Sequence, residues 1–549
     1  MTSIDRWTRG SAATVKLEST RRLPGRVALC LLLGVAAGCT QKENEMVKAS
    51  TTDKPESWAF NEPETTYLGQ TAAAIAADHG GESGFLLLDR GRDALSWRLI
   101  LADAAEKSID AMYFLWKNDA SGKVLMQRLL AGAERGVRVR VLIDDSMTAS
   151  DPEYLALFGA HPNVELRLYK PFGPKHKSLL RWVDYAAHMK VIDRRMHNKL
   201  YLIDGSVEII GGRNMGNEYF EYPGDFVFRS RDLLALGPVV ETSGAAFDMY
   251  WNSDWTVPIE DVVSHVPSAE EAAANMAALD AFAADPASYP AGFYDDPRQI
   301  DSEMAGLEKD LLWGQGTLLI DDVPDKDGEP QTHAELDRTG VKIEEAAEQA
   351  TEEALIQSAY LILEDDGAVG LENLIQQGVT VKLATNSMAA NNHLSSFVSY
   401  RKQRKRMLEG GAEVYEMRPD AKTERAQFTA EELAEHKTFF GLHAKTMVFD
   451  RKVVFVGSFN LDPRSVDLNT EMGLLVESET LGRAVAESIE NDIAAGNSWQ
   501  VILKDDGKVA WVTRVDGVVT EEFDTEPMTT AVKRAEADAL ALVPDSKEM

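Results

Sequence analysis

Two stretches of the chain show the same alternation of apolar and polar positions. Residues 104–145 contain a β-branched run, then apolar residues at helical spacing, then a second β-branched run. Recurrence every three or four positions indicates a helix, here supported by Leu125, Leu129, Leu130 and Ala133. Residues 350–386 repeat this order. The pattern predicts a strand, a helix and a strand in each stretch, and therefore two diverged α/β halves.

Each half continues into a shorter segment rich in β-branched and aromatic residues. These segments are residues 197–214, HNKLYLIDGSVEIIGGRN, and residues 443–460, HAKTMVFDRKVVFVGSFN. Asp204-Gly205 interrupts the first segment and Asp450-Arg451 interrupts the second. We therefore predict a short β-hairpin in each, with the leading His and Lys on one face because strand side chains alternate.

The two segments also share five chemically distinctive positions. His197, Lys199, Asp204, Gly211 and Asn214 recur at the same spacing as His443, Lys445, Asp450, Gly457 and Asn460. Two lysines and two histidines suit the cleavage of an anionic phosphodiester. Lysines neutralise the non-bridging oxygens, and imidazoles serve as nucleophile and as acid. The chain has no H-E-x-x-H motif and no cysteine cluster, and we predict neither a metal nor another cofactor.

Charge and length narrow the functional classes. The 549 residues include 89 acidic and 57 basic side chains, a formal net charge of −32. Such a surface repels nucleic acid, which argues against a nucleic-acid partner. Two local exceptions are the basic stretches Arg167–Arg195 and Arg401–Arg406, and each is either an ordinary charged helix face or a rim that attracts phosphate headgroups. The length suits two domains.

The paired H-x-K-x4-D motifs resemble those of the phospholipase D superfamily. Further stretches, among them RGVRVRVLIDD, GGRNMGNEYF and GSFNLDPRSVDLNTE, are similar to the bacterial cardiolipin synthase branch of type C. The resemblance extends from about Phe85 to the C-terminus. It implies an α/β fold in which two phospholipase D-like halves form one pseudo-twofold active site, with mixed sheets flanked by helices.

The resemblance also implies a role for individual residues. The catalytic set is His197, Lys199, Asp204, His443, Lys445 and Asp450, with the two aspartates bracing the motifs. We choose His197 as the nucleophile and His443 as the acid/base. Phosphate contacts are expected from Asn214, Ser458 and Asn460. A downstream carboxylate in each half, Asp232 and Glu471, is expected to orient a catalytic imidazole.

The implied activity is phosphatidyl transfer. It would form cardiolipin from phosphatidylglycerol and a second phospholipid through a phosphatidyl-histidine intermediate. A phospholipase D or another phosphodiesterase would use the same residues with water as the acceptor. An inactive lipid-binding envelope lipoprotein is a third interpretation, which two intact motifs disfavour. The sequence decides neither the acceptor nor the oligomeric state.

The N-terminus carries a targeting pattern. Three arginines precede a short apolar run that ends in Ala36-Ala37-Gly38-Cys39 and looks like a bacterial lipobox, with Ala36 where Leu is usual. We predict a signal peptide over 1–38, lipidation of Cys39 and a tether over 39–80. The halves follow over 81–305 and 306–549, the second ending in a β meander. The predicted location is the cell envelope, as a membrane-anchored lipoprotein, with the outer membrane permitted.

Overall fold

The computed structural model describes residues 54–145, 152–171, 194–290, 293, 300–324 and 338–542. The strands are β1 Ser83–Leu88, β2 Ser108–Tyr113, β3 Arg138–Asp144, β4 Val164–Tyr169, β5 Leu200–Ile203, β6 Val207–Gly211, β7 Phe226–Arg229, β8 Asp232–Leu236, β9 Thr256–Pro258, β10 Leu312–Ile320, β11 Glu353–Ser358, β12 Thr380–Asn386, β13 Glu413–Met417, β14 Phe439–Leu442, β15 Lys445–Phe449, β16 Val453–Gly457, β17 Met472–Glu477, β18 Ser498–Leu503, β19 Val509–Val515 and β20 Val518–Phe523.

The helices flank these strands on both sides. They are α1 Tyr67–Ala76, α2 Gly91–Ala104, α3 Ala120–Glu134, α4 Pro152–Gly159, α5 Ser243–Trp251, α6 Ala269–Ala283, α7 Ile300–Asp310, α8 Thr339–Glu348, α9 Asp365–Gln376, α10 Leu394–Glu409, α11 Lys422–Arg425, α12 Ala430–His436, α13 Glu479–Ile493 and α14 Ala531–Leu540.

The hydrogen-bonded strand order repeats itself. In the first half the order is β9-β4-β3-β2-β5-β6-β8-β1, and in the second it is β10-β17-β16-β15-β11-β12-β13-β18-β19-β20. The pairs β2–β3–β4 and β11–β12–β13 are parallel, and the other pairs within each half are antiparallel. Strand β10 also pairs with β1, so both orders belong to one mixed sheet of 18 strands. The predicted two-halved α/β architecture is confirmed.

The predicted strand-helix-strand units lie where the apolar pattern put them. Helix α3 joins the parallel strands β2 and β3, and α9 joins β11 and β12. The four apolar residues expected to support α3 are all at most 3% exposed. A second apolar cluster joins the halves, since Phe85 and Leu233 pack in it with Val454 and Leu474. Apolar burial therefore holds both the layers and the seam between the halves.

Both motif hairpins form as predicted. Strand β5 pairs with β6 and β15 pairs with β16, all antiparallel. The turns have two consecutive positive φ angles, 49° and 60° at Asp204-Gly205 and 51° and 53° at Asp450-Arg451. This is the backbone of a type I′ turn, which matches the twist of a tight hairpin.

Each turn aspartate binds the main chain at the start of a neighbouring strand. The Asp204 carboxylate accepts hydrogen bonds from the amides of residues 106–108 at 2.7–2.9 Å. The Asp450 carboxylate accepts from the amides of residues 351–353 at 2.8–3.0 Å. Both carboxylates fix a hairpin to the strand beside it, so we assign them a bracing role.

Charged residues cross the seam between the halves. Arg229 and Arg231, from the first half, each pair with Asp89 and with Asp492 of α13, at 2.5–2.9 Å. Both arginines are at most 5% exposed. The two guanidinium groups hold the pKa of the Asp89 carboxyl well below its usual range, although burial opposes them. Because removal of one partner would strand a buried charge, the network ties the halves together.

The predicted tether ends earlier than expected, and its boundary at residue 80 is wrong. Residues 54–76 pack on the first half, with Leu68 and Ala72 of α1 buried in its core. The Ala59 amide donates to Asp248 at 2.7 Å, and the Trp251 indole donates to Ser57 at 2.8 Å. Residues 1–53, which include the predicted signal peptide and Cys39, lie outside the described residues.

Two other segments agree with the sequence. Helix α6 buries only Leu279, as expected for a surface helix rich in alanine and acids. Strands β18, β19 and β20 form the predicted meander, and its residues Trp499 and Trp511 are buried. Within the described ranges, every helix falls short of the length and apolar character that crossing a bilayer would require.

The packing of α1 gives a stability prediction. Leu68→Ala should lower the free energy of unfolding by about 2–5 kcal/mol, because it opens a cavity in the core of the first half. Gln70→Ala on the exposed face of the same helix is the matched control and should change it by less than about 0.5 kcal/mol. Urea denaturation of both variants measures the difference. Equal small effects would mean that residues 54–76 do not belong to the folded unit.

Candidate active site

Each motif histidine is hydrogen-bonded through its main chain to the opposite half of the molecule. The His197 amide donates to the Thr470 carbonyl at 2.9 Å, and the His443 amide donates to the Arg229 carbonyl at 2.7 Å. A parallel bridge Met196–Thr470 and the parallel pair β7–β14 accompany these contacts. Only 8% of His197 and 6% of His443 is exposed. The seam thus brings one imidazole from each half to a common buried site.

His197 has a carboxylate partner from the other half. Its Nδ1 lies 2.8 Å from Glu471 Oε2. Because a carboxylate only accepts hydrogen bonds, this contact places the imidazole proton on Nδ1 and leaves the Nε2 lone pair available. The ring of Phe114 lies edge-on at 5.1 Å from the imidazole. His197 is therefore held in the tautomer that suits a nucleophile.

Two serines fix the carboxylate of Glu471. The Ser458 hydroxyl donates to Oε2, and the Ser465 hydroxyl donates to Oε1 at 2.8 Å. Asp321 accepts a hydrogen bond from the Glu471 amide at 2.9 Å. Burial raises the pKa of the Glu471 carboxyl to about 7, although Lys199 and the Ser458 hydroxyl lower it. Ser458 was expected to contact the phosphate, whereas its hydroxyl binds this carboxylate.

The motif lysines are also buried at the site. The Lys199 ammonium donates to the His197 carbonyl, and the Lys445 ammonium donates to the His443 carbonyl at 2.8 Å. Burial lowers the pKa of Lys445 to about 7 and that of Lys199 well below its usual range. An anion bound beside these lysines would favour their positive charge, because an opposite charge nearby stabilises the protonated form.

His443 has different neighbours from His197. Its Nδ1 lies 3.1 Å from Lys445 Nζ, and the rings of Tyr219 and Phe228 contact the imidazole with centroids 5.1 and 4.7 Å away. Burial, followed by Lys445 and Lys199, lowers the pKa of His443 well below its usual range, and a hydrogen bond with the Gly212 backbone raises it. The same factors, burial first and then the two lysines, lower the pKa of His197.

The two motif asparagines lie at the site with an unused acceptor. The Asn214 amide donates to the Tyr219 hydroxyl at 3.1 Å, and the Asn460 main chain donates to Ser465 at 3.2 Å. The side-chain oxygens of both asparagines are buried without a hydrogen-bond partner among the described residues. Both side chains are placed to contact a bound phosphoryl group, and that role stays a prediction.

Asp232 does not occupy the place that the sequence assigned to it. Its carboxylate accepts from Arg98 at 2.9 Å and from the Arg213 amide at 3.1 Å. Among the described residues, no hydrogen bond joins it to either imidazole. Asp232 therefore neutralises two buried arginines rather than orienting a histidine.

Strand register explains this correction. Gly211 of β6 pairs with Asp232, and the matching Gly457 of β16 pairs with Gly473. Asp232 thus corresponds to Gly473, two residues beyond Glu471. Ser230 corresponds to Glu471. Sequence offsets counted from the motifs differ between the halves and could not show this register.

Asp144 and Asn386 also act at equivalent places, and sequence reasoning missed them. The Met196 amide donates to Asp144 at 2.9 Å, and the Leu442 amide donates to Asn386 at 2.7 Å. Each therefore fixes the residue before a motif histidine. Both end a predicted strand, in LIDD and LATN, and polar residues at the carboxyl ends of parallel strands are a usable signal.

The basic segment Arg401–Arg406 pairs with acids of the protein itself. Arg404 binds Glu416 and Glu526 at 2.6 and 3.0 Å, and Arg406 binds Glu372 at 2.8 Å. This supports the interpretation of Arg401–Arg406 as an ordinary charged helix face. Most of the other basic stretch, Arg167–Arg195, lies outside the described residues. Of the residues that the structure covers, no group of three or more His, Cys, Asp or Glu side chains is arranged to hold a metal ion.

Comparison with known proteins identifies the family. A family model described as "Cardiolipin synthase, PLD-like domain" matches residues 99–247 and 343–493. Cardiolipin synthase C of Escherichia coli (strain K12) is 34% identical over 459 residues, covering 81% of this chain and 92% of that protein. Cardiolipin synthase 2 of Staphylococcus epidermidis is 25% identical over 400 residues, covering 72% and 64%.

Among solved structures, phosphatidylserine synthase of Haemophilus influenzae Rd KW20 matches 77% of this chain and 91% of its own, with a TM-score of 0.49 and 14% identity. The family model covers both motif segments, one in each half. The chain therefore belongs to the cardiolipin synthase family of phospholipase D-like enzymes.

Proposed function

We propose that this enzyme transfers a phosphatidyl group from one phospholipid to phosphatidylglycerol and so forms cardiolipin. The observation that carries the proposal is the buried pair of imidazoles at the seam, with His197 Nδ1 held 2.8 Å from Glu471. The relatives named cardiolipin synthase support the substrate class. The donor, acceptor and intermediate are our inference from the chemistry of these residues.

In the first step, His197 Nε2 attacks the phosphorus of the donor lipid. A P–N bond forms and the P–O bond to the headgroup alcohol breaks, while His443 gives its proton to the leaving oxygen. The phosphorylated imidazole carries positive charge and keeps its proton on Nδ1. Glu471 stabilises that charge.

In the second step, the headgroup hydroxyl of phosphatidylglycerol takes the place of the alcohol that left. Neutral His443 removes its proton, the oxygen attacks phosphorus, and the P–N bond to His197 breaks. The histidines return to their starting states, so the cycle balances. Water in the acceptor position would give phosphatidic acid, which is the hydrolytic alternative.

The buried lysines supply positive charge for both transition states. Lys199 and Lys445 approach the site from opposite halves, and Asn214 and Asn460 add polar contacts. A phosphodiester anion would raise the lysine pKa values toward their usual range, because an opposite charge nearby favours the protonated form. In a water-poor site such charges act more strongly than in solution.

We further propose that the enzyme is anchored at the bacterial envelope through lipidated Cys39. The support is the lipobox-like sequence that ends at Cys39, and these residues lie outside the described part of the chain. Fourteen residues, 40–53, separate Cys39 from Lys54, the first described residue. An extended chain of that length spans about 45–50 Å, which leaves the folded part free to approach a bilayer.

Product identity tests the proposed function directly. Purified enzyme with labelled phosphatidylglycerol, with and without phosphatidylethanolamine, should release labelled cardiolipin, detected by mass. Activity should persist in EDTA, because histidines and lysines supply the nucleophile, acid and charge. Phosphatidic acid as the sole labelled lipid product would mean that the enzyme hydrolyses phospholipid and does not transfer the phosphatidyl group. Activity that is lost in EDTA and restored by one metal would contradict the proposed site.

Trapping should distinguish the two histidines. His197→Ala and His443→Ala should each lower turnover by on the order of 10^4 or more, because they act as one catalytic unit. With a p-nitrophenyl phosphodiester, His443→Ala should still accumulate an acid-labile adduct on the peptide containing His197, since this leaving group needs little protonation. His197→Ala should form none. His161→Ala, at a surface pair with Glu134, is the control. An adduct on His443 would reverse the roles.

Burial of Lys445 should cost stability. Its folded-state pKa of about 7 lies below the ordinary 10.5, so the unfolded chain binds more protons between these values and stability should rise with pH across this window. Lys445→Met should therefore raise the free energy of unfolding by about 0.5–2 kcal/mol at pH 7, less at pH 10, while abolishing activity. Exposed Lys508→Met is the control. A Lys445→Met enzyme less stable than wild type at pH 7 would contradict the assignment.

A further inference from the structure

The main-chain amide of each motif histidine binds a carbonyl of the opposite half. These two carbonyls identify residues that are equivalent in the two halves. Thr470 and Arg229 accept the amide hydrogen bonds of opposite histidines at matching places in the fold. The residues that follow them are Glu471 and Ser230, and strand register gives the same correspondence. The place that Glu471 occupies in the second half is therefore occupied by Ser230 in the first half.

Ser230 is too short to do what Glu471 does. The Glu471 carboxylate oxygens lie three bonds beyond Cβ and reach His197, whereas the Ser230 hydroxyl lies one bond beyond Cβ. Ser230 is fully buried, and its hydroxyl has no hydrogen-bond partner among the described residues. An unpartnered buried hydroxyl is costly, so its position has a reason other than stability.

A second difference accompanies the first. Ser458, which donates to Glu471, corresponds to Gly212 in the first half. A Cβ added to Gly212 would lie 2.8 Å from the Ser230 hydroxyl, too close for an ordinary contact. The pair Gly212–Ser230 thus replaces the pair Ser458–Glu471 as a unit.

The other histidine, His443, has a different set of neighbours. Within the described ranges, His443 has no Asp or Glu at ion-pair distance. The groups that face it are Lys445 on its own strand, Lys199 and His197 from the first half, the Tyr219 ring and the uncharged Phe228 ring. The neutral Gly212 backbone and the Lys445 ammonium are both hydrogen-bond partners of His443.

We propose that Ser230, next to Gly212, is a positioning residue that assigns the acid/base role to His443 by withholding a carboxylate from it. The proposal rests on the phosphatidyl transfer described above. A carboxylate beside an imidazole stabilises the protonated ring and weakens it as an acid. His443 must give its proton to a poor leaving group, so it works best without that partner. His197 must carry a cationic P–N adduct, so it works best with one.

The test restores the missing carboxylate. In Ser230→Glu, the fall of kcat at high pH should move upward by about 1–3 pH units, because the new charge holds the proton on His443. The maximum turnover of phosphatidylglycerol should fall, while adduct formation from a p-nitrophenyl phosphodiester should keep its wild-type rate. Ser230→Gln has the same shape without the charge and should leave the position of the limb unchanged.

The other charged groups around His443 are the same in Ser230→Glu and Ser230→Gln. A difference between their kcat–pH profiles is therefore due to the charge at residue 230. If Ser230→Glu and Ser230→Gln both fold and their kcat values fall at the same high pH, the proposal is wrong. Ser230→Ala adds a test that does not need room for a larger side chain. Alanine also places no carboxylate beside His443, so kcat should fall at the same high pH as in the wild type. A fall at a different pH would show that the Ser230 hydroxyl itself sets the titration of His443, contrary to the proposal.

The same experiment separates this inference from the proposed function. Wild-type products are measured first. A wild type that makes neither cardiolipin nor phosphatidic acid would defeat the proposed function. A wild type that turns lipid over, with limbs that coincide in Ser230→Glu and Ser230→Gln, would defeat only the role of Ser230.

Discussion

Each motif histidine is held through its main chain by the opposite half, and the rest of the site depends on this exchange. The amides of His197 and His443 bind carbonyls across the seam, and Glu471 crosses the same seam to reach His197. Neither half alone supplies both a motif histidine and the groups that hold it in place. The apolar cluster shared by the two halves and the buried network of Arg229 and Arg231 therefore fix the position of both imidazoles, because a shift of one half against the other would move them. In the proposed mechanism, the same contacts serve catalysis as well as stability.

Burial of like charges explains the electrostatic character of the site. Two lysines and two histidines meet where water is largely excluded, and burial lowers the pKa values of all four. Such an arrangement is unfavourable in isolation. It is offset by Glu471, and we infer that the phosphate anion of a substrate completes the compensation. The site is therefore organised around a charge that arrives with the lipid, in keeping with the trade between stability and activity at functional sites.

Much of the fold followed from local patterns, because the information was local. The apolar face of α3 and the tight turns at Asp204 and Asp450 are set by neighbouring residues, and they were predicted correctly. The boundary at residue 80 was wrong because residues 54–76 are held by contacts with Asp248 and Trp251, which lie 189 and 194 positions away in sequence. The role given to Asp232 failed for a related reason. Only the register of β8 shows that Ser230 and not Asp232 corresponds to Glu471, and register is a property of paired strands that one strand does not encode.

The difference between Ser230 and Glu471 has a consequence for the ancestry of the chain. Two copies of the second half, assembled symmetrically, would give every imidazole a carboxylate, and two copies of the first half would give none. Either homodimer would treat its histidines alike, since a twofold axis makes equivalent residues identical in surroundings. Two repeats in one polypeptide can differ in sequence, so every molecule has one histidine with a carboxylate partner and one whose equivalent position is a serine. The duplicated units have since become complementary parts, and neither could now replace the other.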